Sequence, residues 1–202
     1  SDNFISSEYD SVLASGEQVS CALIAGKLND LGFLARSWLG WQVPIITSGK
    51  HSHSRIVNIP KKNIFKFLKK NGIPIIAGFQ GINAENRITT IGRSGSDASA
   101  IMIAKFFKAE KCVIYTDVDG VYTTDPNVVP KAKKIKKISY EEMLEMASLG
   151  AKVMQPQSIQ DARLNRIDVE VRSSLKRVSG SLITKRKKIS ITNIIRGVSF
   201  PK

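Results

Sequence analysis

The sequence predicts an α/β fold, with a mostly parallel sheet and helices on both of its faces. Helix-like and strand-like segments alternate along the chain, and residues 73–79 form an almost wholly apolar run suited to a strand buried on both faces. A glycine-rich turn at residues 92–100 joins a strand-like run to a helix-like one. Such alternating units build parallel sheets, because the crossover between parallel strands is usually a helix.

In the first half of the chain the patterns predict two amphipathic helices and three strands. Ser15 is expected to cap a helix that ends at Gly32, and Pro60 to open a second helix that Gly72 closes. The residues at helical spacing that should face the core are Val19, Leu23, Ile24, Leu28 and Leu31 in the first helix and Ile64, Phe65 and Leu68 in the second. The expected strands cover residues 34–38, 73–79 and 87–91.

The second half continues the alternation. Strands are expected at residues 111–115 and 169–172, and a helix should begin at Ser139, because Ser139 and Glu142 have the spacing of a capping box. A further helical segment is expected at residues 151–164. We interpret residues 1–184 as one domain and residues 185–202 as a basic linker.

Composition limits the class of protein. The chain has 202 residues, 42% hydrophobic and 24% charged, which is typical of a globular domain with one sizeable core. Its apolar runs are too short to cross a membrane and its first residues lack a signal-peptide pattern, so we expect a cytoplasmic protein without a membrane partner. Cys21 and Cys112 lie in apolar patterns without metal-ligand spacing, and both are expected to be buried and reduced.

The chain is strongly basic, with a formal net charge of +14. Such a charge attracts anions, including nucleotides and RNA. Its lysines form clusters that lack the interleaved aromatic residues of a single-strand binding surface. We therefore interpret these lysines as solvated surface and do not expect a nucleic-acid partner.

The glycine-rich turn around Gly92 and Gly95 has the chemistry of an anion site. Backbone N–H groups and the N-terminus of the following helix would point at one place, where phosphate or carboxylate is favoured, and Arg93 would add a forked cation. The alternative is a tight connection with an N-cap and no ligand. His51 and His53 also allow two interpretations. Their spacing suggests a metal site, but they lie in a polar loop, and we interpret this loop as a surface loop that covers the binding site.

Three further segments carry polar groups in places that suit a ligand. Residues 116–126 follow a buried strand at its carboxyl end, where α/β sheets bind ligands, although an Asp-Gly hairpin would also be compatible with them. Their alternating acids resemble a calcium loop, but Gly120 comes too early for one, so calcium is disfavoured. Glu17 is expected in the first turn of a helix, where it would receive an ammonium group. Lys152 is expected near another helix start, which favours an anionic partner such as phosphate.

Taken together and in this order, these segments resemble the aspartate kinases of the amino-acid kinase family. The resemblance rests on residues 15–18 (Ser-Gly-Glu-Gln), 35–42 (Ala-Arg-Ser-Trp-Leu-Gly-Trp-Gln), 78–81, the glycine-rich turn, 116–126, 150–153 and 172–174. It implies the three-layer αβα sandwich of that family. It also implies transfer of a phosphoryl group from ATP, with Mg²⁺, to the side-chain carboxylate of L-aspartate, the reaction that opens the route to lysine, threonine and methionine.

The resemblance also implies roles for individual residues on the amino-acid side. Glu17 would hold the substrate ammonium group and Arg93 a substrate carboxylate, with Ser96 assisting by a hydrogen bond. Asp97 would be catalytic, ordering the site around the transferred phosphoryl group.

On the nucleotide side the resemblance implies that Thr116, Asp117 and Tyr122 surround the ribose and base of ATP. Lys152 would lie near the ATP phosphates and is expected to be both nucleotide-binding and catalytic. No residue is expected to ligate a resident metal.

The chain departs from the family pattern in three respects. No Lys-Phe/Tyr-Gly-Gly-Thr turn precedes Glu17, no regulatory ACT domain follows, and Ser94 and Asn127 stand where a glycine and an arginine are usual. We therefore expect a fold incomplete at its N-terminus, weak or no activity for this chain alone, and a homo-oligomer or a separate chain that supplies the missing segments. The alternatives are a non-catalytic remnant that binds amino acid or nucleotide, and a basic RNA-binding module.

Overall fold

The structure is a computed structural model that describes residues 5–92, 94–150 and 153–185. The chain divides into two compact units, the first ending at Phe107 and the second beginning at Lys108. The predicted boundary between a domain at 1–184 and a linker at 185–202 stays a prediction, because residues 186–202 lie outside the described part.

The first unit contains three helices and six strands among its described residues, arranged in two small sheets. In chain order these are α1 Ser6–Asp30, β1 Ala35–Trp38, β2 Ile46–Ser48, β3 Arg55–Asn58, α2 Lys62–Leu68, β4 Ile73–Ile76, β5 Gln80–Ile82, β6 Ile88–Thr90 and α3 Gly95–Phe107. Strand β1 pairs with β4 in parallel. The other sheet has the order β3-β2-β5-β6, in which only the β2–β5 pair is parallel.

The second unit has one mixed sheet with two helices. Its elements are β7 Cys112–Thr116, β8 Lys137–Ser139, α4 Tyr140–Ser148, α5 Pro156–Asn165, β9 Val169–Ser173 and β10 Ser181–Thr184. The strand order is β7-β9-β10-β8, with parallel β7–β9 and β8–β10 pairs and an antiparallel β9–β10 pair. Parallel pairs therefore outnumber antiparallel ones in the described chain by four to three, as the predicted α/β class requires.

Helix α1 differs from its prediction at its start and on its buried face. It begins at Ser6, so Ser15 lies in mid-helix and donates its hydroxyl proton to the carbonyl oxygen of Val12 at 2.6 Å instead of capping. The predicted end at Gly32 is confirmed, since Gly32 has φ +85°. The buried face consists of the small or polar residues Asp10, Ala14, Cys21 and Ala25.

Most of the large apolar residues that should have faced the core from the first helix are exposed instead, and Leu28 is half-buried. Val19 is 60% exposed, Leu23 69% and Ile24 51%. Helix α1 contacts β1, β4 and β6, and the small residues of its buried face allow the helix backbone to lie close to these strands.

The core of the first unit forms around β1, β2 and α2, from Trp38, Val43, Ile45, Ile56, Ile59 and Ile64. Ile64 is buried as predicted, whereas Phe65 and Leu68 on the same helix remain partly exposed. Phe67, which was not predicted to face inward, packs on this core, and its ring is in edge contact with Trp38 at a centroid distance of 6.0 Å.

Most other predicted elements are confirmed. Strands β1, β4, β6, β7 and β9 lie within one to three residues of their predicted bounds, and α4 carries the predicted capping box of Ser139 and Glu142. Helix α5 begins at Pro156 rather than residue 151, because proline suits the first helical position. Strands β2, β3, β5, β8 and β10 were not predicted. None of the described helices is both long enough and apolar enough to cross a membrane.

Candidate functional site

A cavity of about 350 Å³ lies in the first unit, where the start of α3 faces α1 and the loop after β2. That volume is within the range of small-molecule sites. Its described lining comprises Leu13, Glu17, Ser52, His53, Phe79, Thr90, Gly92, Ser94, Gly95 and Ser96. Two segments singled out in the sequence, the first helix and the glycine-rich turn, therefore meet at one cavity.

The glycine-rich turn has the backbone shape that an anion site needs. Gly92 has φ +78° and Ser94 φ +58°, both in the left-handed region, and α3 begins at Gly95 directly afterwards. A Cβ atom on Gly92 would lie 3.1 Å from the carbonyl oxygen of Ser52, so the turn and the neighbouring loop are in close contact. Ser94, which stands where the family pattern has a glycine, thus adopts a backbone conformation that glycine reaches more easily. Arg93 lies outside the described residues.

The start of α3 is fixed by hydrogen bonds to the chain after β4. The Ser99 hydroxyl donates to the carbonyl oxygen of Gly95 at 2.6 Å and accepts from the backbone N–H of Phe79 at 2.9 Å. Ser96 lines the cavity at this point. Its neighbour Asp97 lies in the first turn of α3 but is not part of the described lining, and burial raises the pKa of the Asp97 carboxyl.

Glu17 reaches the cavity from the middle of α1, not from a helix first turn as the sequence suggested. The prediction that a helix dipole stabilises it is therefore wrong, because the dipole acts mainly at helix ends. The residue beside it, Gln18, donates to the side chain of Gln80 at 3.0 Å, and Gln80 donates to the carbonyl oxygen of Ala14 at 3.0 Å. These bonds hold α1 against β5 and so fix the position of Glu17 at the cavity.

The two histidines are not simple surface residues. His53 lines the cavity, and His51 Nδ1 lies 2.8 Å from the buried carboxylate of Asp10. His51 therefore has an acidic partner from the first helix, 41 residues away along the chain. Among the described residues no group of three or more His, Cys, Asp and Glu side chains is placed to hold a metal ion.

In the second unit two of the predicted nucleotide residues, Thr116 and Asp117, lie at the carboxyl end of β7, beside the end of β9. Because these strands are parallel and in register, Thr116 lies opposite Ser173, and the backbone N–H of Ser174 donates to the carbonyl oxygen of Thr116 at 2.8 Å. The Thr116 hydroxyl donates to Asp117 Oδ1 at 3.0 Å, and Asp117 is exposed at the sheet edge. Two polar segments distant in sequence thus share one edge of the sheet, the usual position for a ligand.

Tyr122 belongs to a cluster that the sequence did not predict. Its hydroxyl donates to Asp119 Oδ1 at 2.9 Å, and Lys134 Nζ lies 2.9 Å from Asp119 Oδ2 and 6.0 Å from the Tyr122 ring centroid. The Lys134 ammonium group lowers the pKa of Asp119, while burial and the Asp119 carboxylate raise the pKa of Tyr122. Asp119 therefore orders its own loop. Lys152 lies outside the described residues.

Comparison with known proteins identifies the family. The sequence model of the amino acid kinase family matches residues 2–173, which is most of the chain. The chain belongs to this family. The match spans both units, and the predicted three-layer αβα class of the amino-acid kinase fold is confirmed by the structural comparisons.

Members of the family with similar sequences are aspartokinases. The chain is 46% identical over 193 residues to the aspartokinase of Geobacillus stearothermophilus, covering 96% of this chain and 47% of that protein. It is 44% identical over 193 residues to aspartokinase 2 of Bacillus subtilis, with the same coverage. The chain thus spans about half the length of the relatives that it matches.

Solved structures of the family agree. Aspartokinase III of E. coli in complex with aspartate and ADP matches with a TM-score of 0.83 and 31% identity, over 92% of this chain and 42% of that one. Aspartate kinase from Synechocystis matches with a TM-score of 0.78 and 40% identity, over 95% and 32%. UMP kinase from Bacillus anthracis, at 16% identity and a TM-score of 0.65 over 89% and 70%, shares the fold alone.

Within this amino-acid kinase chain, sequence reasoning missed several residues that shape the site. Ser52 and Thr90 line the cavity, and Asp10 lies behind them and binds both. In the second unit, Lys134 orders the Tyr122 loop. Thr90 had a local signal, since it ends the strand that enters the glycine-rich turn. Asp10 had none, because its partners lie 41 to 80 residues away along the chain.

Proposed function

We propose that this chain is the catalytic region of an aspartate kinase, which transfers the γ-phosphoryl group of ATP to the side-chain carboxylate of L-aspartate. The products are ADP and 4-phospho-L-aspartate. The observation that carries the proposal is the cavity of the first unit, where Glu17 and the glycine-rich turn face the same space. The similarity to aspartokinases, at 46% identity over 96% of the chain, supports this choice of substrate.

An aspartate molecule carries one ammonium and two carboxylate groups, and the cavity offers complementary groups. Glu17 is the proposed partner of the ammonium group, and Arg93, the backbone N–H groups of the turn and Ser96 are the proposed partners of carboxylates. Asp97 is proposed to order the site around the transferred group. Its raised pKa agrees with a role near the chemistry, since perturbed carboxyls concentrate at functional sites.

ATP is proposed to bind at the carboxyl edge of β7 and β9, with Thr116 and Asp117 at the ribose and Tyr122 at the base. Lys152 is proposed to contact the phosphates. Mg²⁺ would accompany ATP and neutralise charge on its phosphates, held by phosphate oxygens, water and one or two carboxylates. The exposed Asp117 carboxylate at the sheet edge of the second unit suits this arrangement, because a metal held mainly by phosphates and water needs no cage of protein ligands.

Calorimetric titration of L-aspartate into the chain tests the proposal, with L-glutamate as the control ligand. We expect saturable binding of aspartate only. Glu17→Gln removes the proposed ammonium partner and should weaken aspartate binding by about tenfold or more, the worth of a charged hydrogen bond. Glu85→Gln, on an exposed turn away from the cavity, is the matched control and should bind like wild type.

Turnover is measured separately as aspartate-dependent ADP formation with magnesium ATP. A folded chain that binds neither aspartate nor ADP would contradict the proposal. Binding of both without turnover would favour the non-catalytic alternative for this chain. We propose a cytoplasmic location, because ATP is an intracellular co-substrate.

The net charge of +14 favours a second candidate, a basic RNA-binding module. Such a module binds RNA with an affinity that falls steeply with salt and does not respond to aspartate or ATP. Fluorescence anisotropy with a labelled RNA oligonucleotide, at two salt concentrations and with each ligand added, separates it from the kinase.

We also propose that the chain associates with a second copy of itself. The support is the exposed apolar face of α1, which includes Val19, Leu23 and Ile24.

A further inference from the structure

Asp10 is the most completely paired carboxylate in the described part of the chain. It lies in the second turn of α1, is 0% exposed, and accepts five hydrogen bonds from three residues. We propose that Asp10 is a positioning residue that holds the wall of the aspartate cavity in its binding shape. This inference rests on the proposed function, since it concerns the same cavity.

The hydrogen bonds use both carboxylate oxygens. Oδ1 accepts from the hydroxyl groups of Ser52 at 2.9 Å and Thr90 at 2.7 Å. Oδ2 accepts from the backbone N–H groups of Ser52 and Thr90, each at 3.0 Å, and from His51 Nδ1 at 2.8 Å. Because an ionised carboxylate only accepts, His51 must carry its hydrogen on Nδ1 in this contact.

The carboxylate is stabilised in its charged form. Burial on its own would raise the pKa of Asp10, but the hydrogen bonds from Thr90, Ser52 and His51 outweigh burial and lower it. A buried charge of this kind is tolerated only where its lone pairs are satisfied, so removing the donors or the charge leaves an unpaired polar group.

The groups that Asp10 holds are parts of the cavity wall. Ser52 and Thr90 both line the cavity, whereas Asp10 lies behind them and does not. Ser52 is followed by His53, and Thr90 comes two residues before Gly92, so one carboxylate joins the loop to the start of the glycine-rich turn. The backbone N–H of Ser54 donates to the carbonyl oxygen of Thr90 at 3.0 Å and strengthens the same junction.

Asp10 also fixes the position of this wall relative to Glu17, because both residues lie on α1. The two residues are seven positions apart on α1, which is close to two turns, so their side chains leave the helix in nearly the same direction. The carboxylate therefore sets the distance between the proposed ammonium partner and the proposed anion turn. A site held in this way binds ligand without the cost of ordering its own loops.

Asp10→Asn tests the role. The variant keeps the size of the side chain but removes its charge, and its NH₂ group replaces one of the two oxygens that accept hydrogen bonds from Ser52 and Thr90, so the anchor of the wall is weakened. We expect the dissociation constant for L-aspartate to rise tenfold or more in calorimetry, with a binding stoichiometry unchanged from wild type. Asp30→Asn, at the exposed end of the same helix, is the matched control and should leave the constant unchanged.

The stoichiometry separates positioning from folding. If Asp10 has a purely structural role, the variant contains less folded protein, but the folded fraction binds L-aspartate with the wild-type dissociation constant. That result would overturn the proposal. If Asp10→Asn does not fold, His51→Ala decides, because it removes one of the five bonds and should raise the constant severalfold. An unchanged constant there overturns the role. A folded wild-type chain that binds no aspartate overturns the proposed function together with this inference.

Discussion

At the scale of the residue, two carboxylates of the first unit show opposite responses to burial. Asp10 is buried among donors that compensate its charge, and its pKa is lowered, whereas burial raises the pKa of Asp97, for which the described residues supply no such compensation. The first arrangement satisfies a buried charge with hydrogen bonds. The second works against stability, which is typical of residues kept for their chemistry.

The raised pKa of Asp97 leads to a prediction about Asp97→Asn. Folding favours the protonated form of this carboxyl, so its contribution to stability is lost as the pH rises through the folded-state pKa. At neutral pH we therefore expect the neutral variant to unfold at a slightly higher temperature than wild type, while phosphoryl transfer falls. The difference should shrink on acidification toward the ordinary aspartate pKa of about 3.9.

Differential scanning calorimetry at several pH values measures this effect, with Asp30→Asn as the exposed control on the first helix. A lower unfolding temperature for Asp97→Asn at neutral pH would mean that the ionised carboxylate makes favourable contacts in the folded chain. That result would contradict the expected sign.

At the scale of the element, α4 shows how much a local signal can determine. Ser139 accepts a hydrogen bond from the backbone N–H of Glu142 at 3.2 Å, and Glu142 Oε2 accepts from the backbone N–H of Ser139 at 2.9 Å.

Ser139→Ala removes the first bond and is expected to lower the free energy of unfolding by about 1 kcal/mol. Urea unfolding measures it, with Ser148→Ala in the exposed last turn of α4 as the control, expected to differ from wild type by less than about 0.5 kcal/mol. Equal effects of the two substitutions would show that the cap is unimportant.

Where the signal is not local, the sequence is less informative. In α1, Ser15 and Gly16 resemble a helix start, but the helix continues through them, and an added Cβ on Gly16 would meet nothing within 4 Å. The tertiary fold there overrides a weak propensity. Strands β2, β5 and β8 are three residues long, too short to show an alternating pattern.

The candidate site was predictable to the extent that its residues are contiguous. The glycine-rich turn and the residues after β7 stand out because backbone shape and polar groups occur together in a few positions. The support of the cavity by Asp10, and of the Tyr122 loop by Lys134, depends on contacts between distant segments. No periodicity encodes such contacts.

At the scale of the whole molecule, the exposed face of α1 is the feature that the isolated chain leaves without a partner. Helix α1 has 25 residues and is therefore about 37 Å long, with large apolar side chains along the face opposite the core. An added Cβ at either Gly16 or Gly26 on this helix would meet nothing within 4 Å, so another backbone can approach there. The exposed apolar stripe of α1, which includes Val19, Leu23 and Ile24, can pair with the same stripe of a second chain about a two-fold axis. This favours a second copy of the chain as its partner.

Sedimentation velocity over a range of protein concentrations tests this association. We expect wild type to form a dimer as concentration rises, and Leu23→Asp to remain monomeric, because a charge placed on the stripe must be desolvated when the two helices meet. Leu164→Asp changes a similarly exposed leucine on α5, in the other unit, and should dimerise like wild type. A wild-type chain that stays monomeric at every concentration would show that the stripe does not pair with itself. Loss of the dimer in Leu164→Asp as well would show that the effect of Leu23→Asp is not specific to the α1 face.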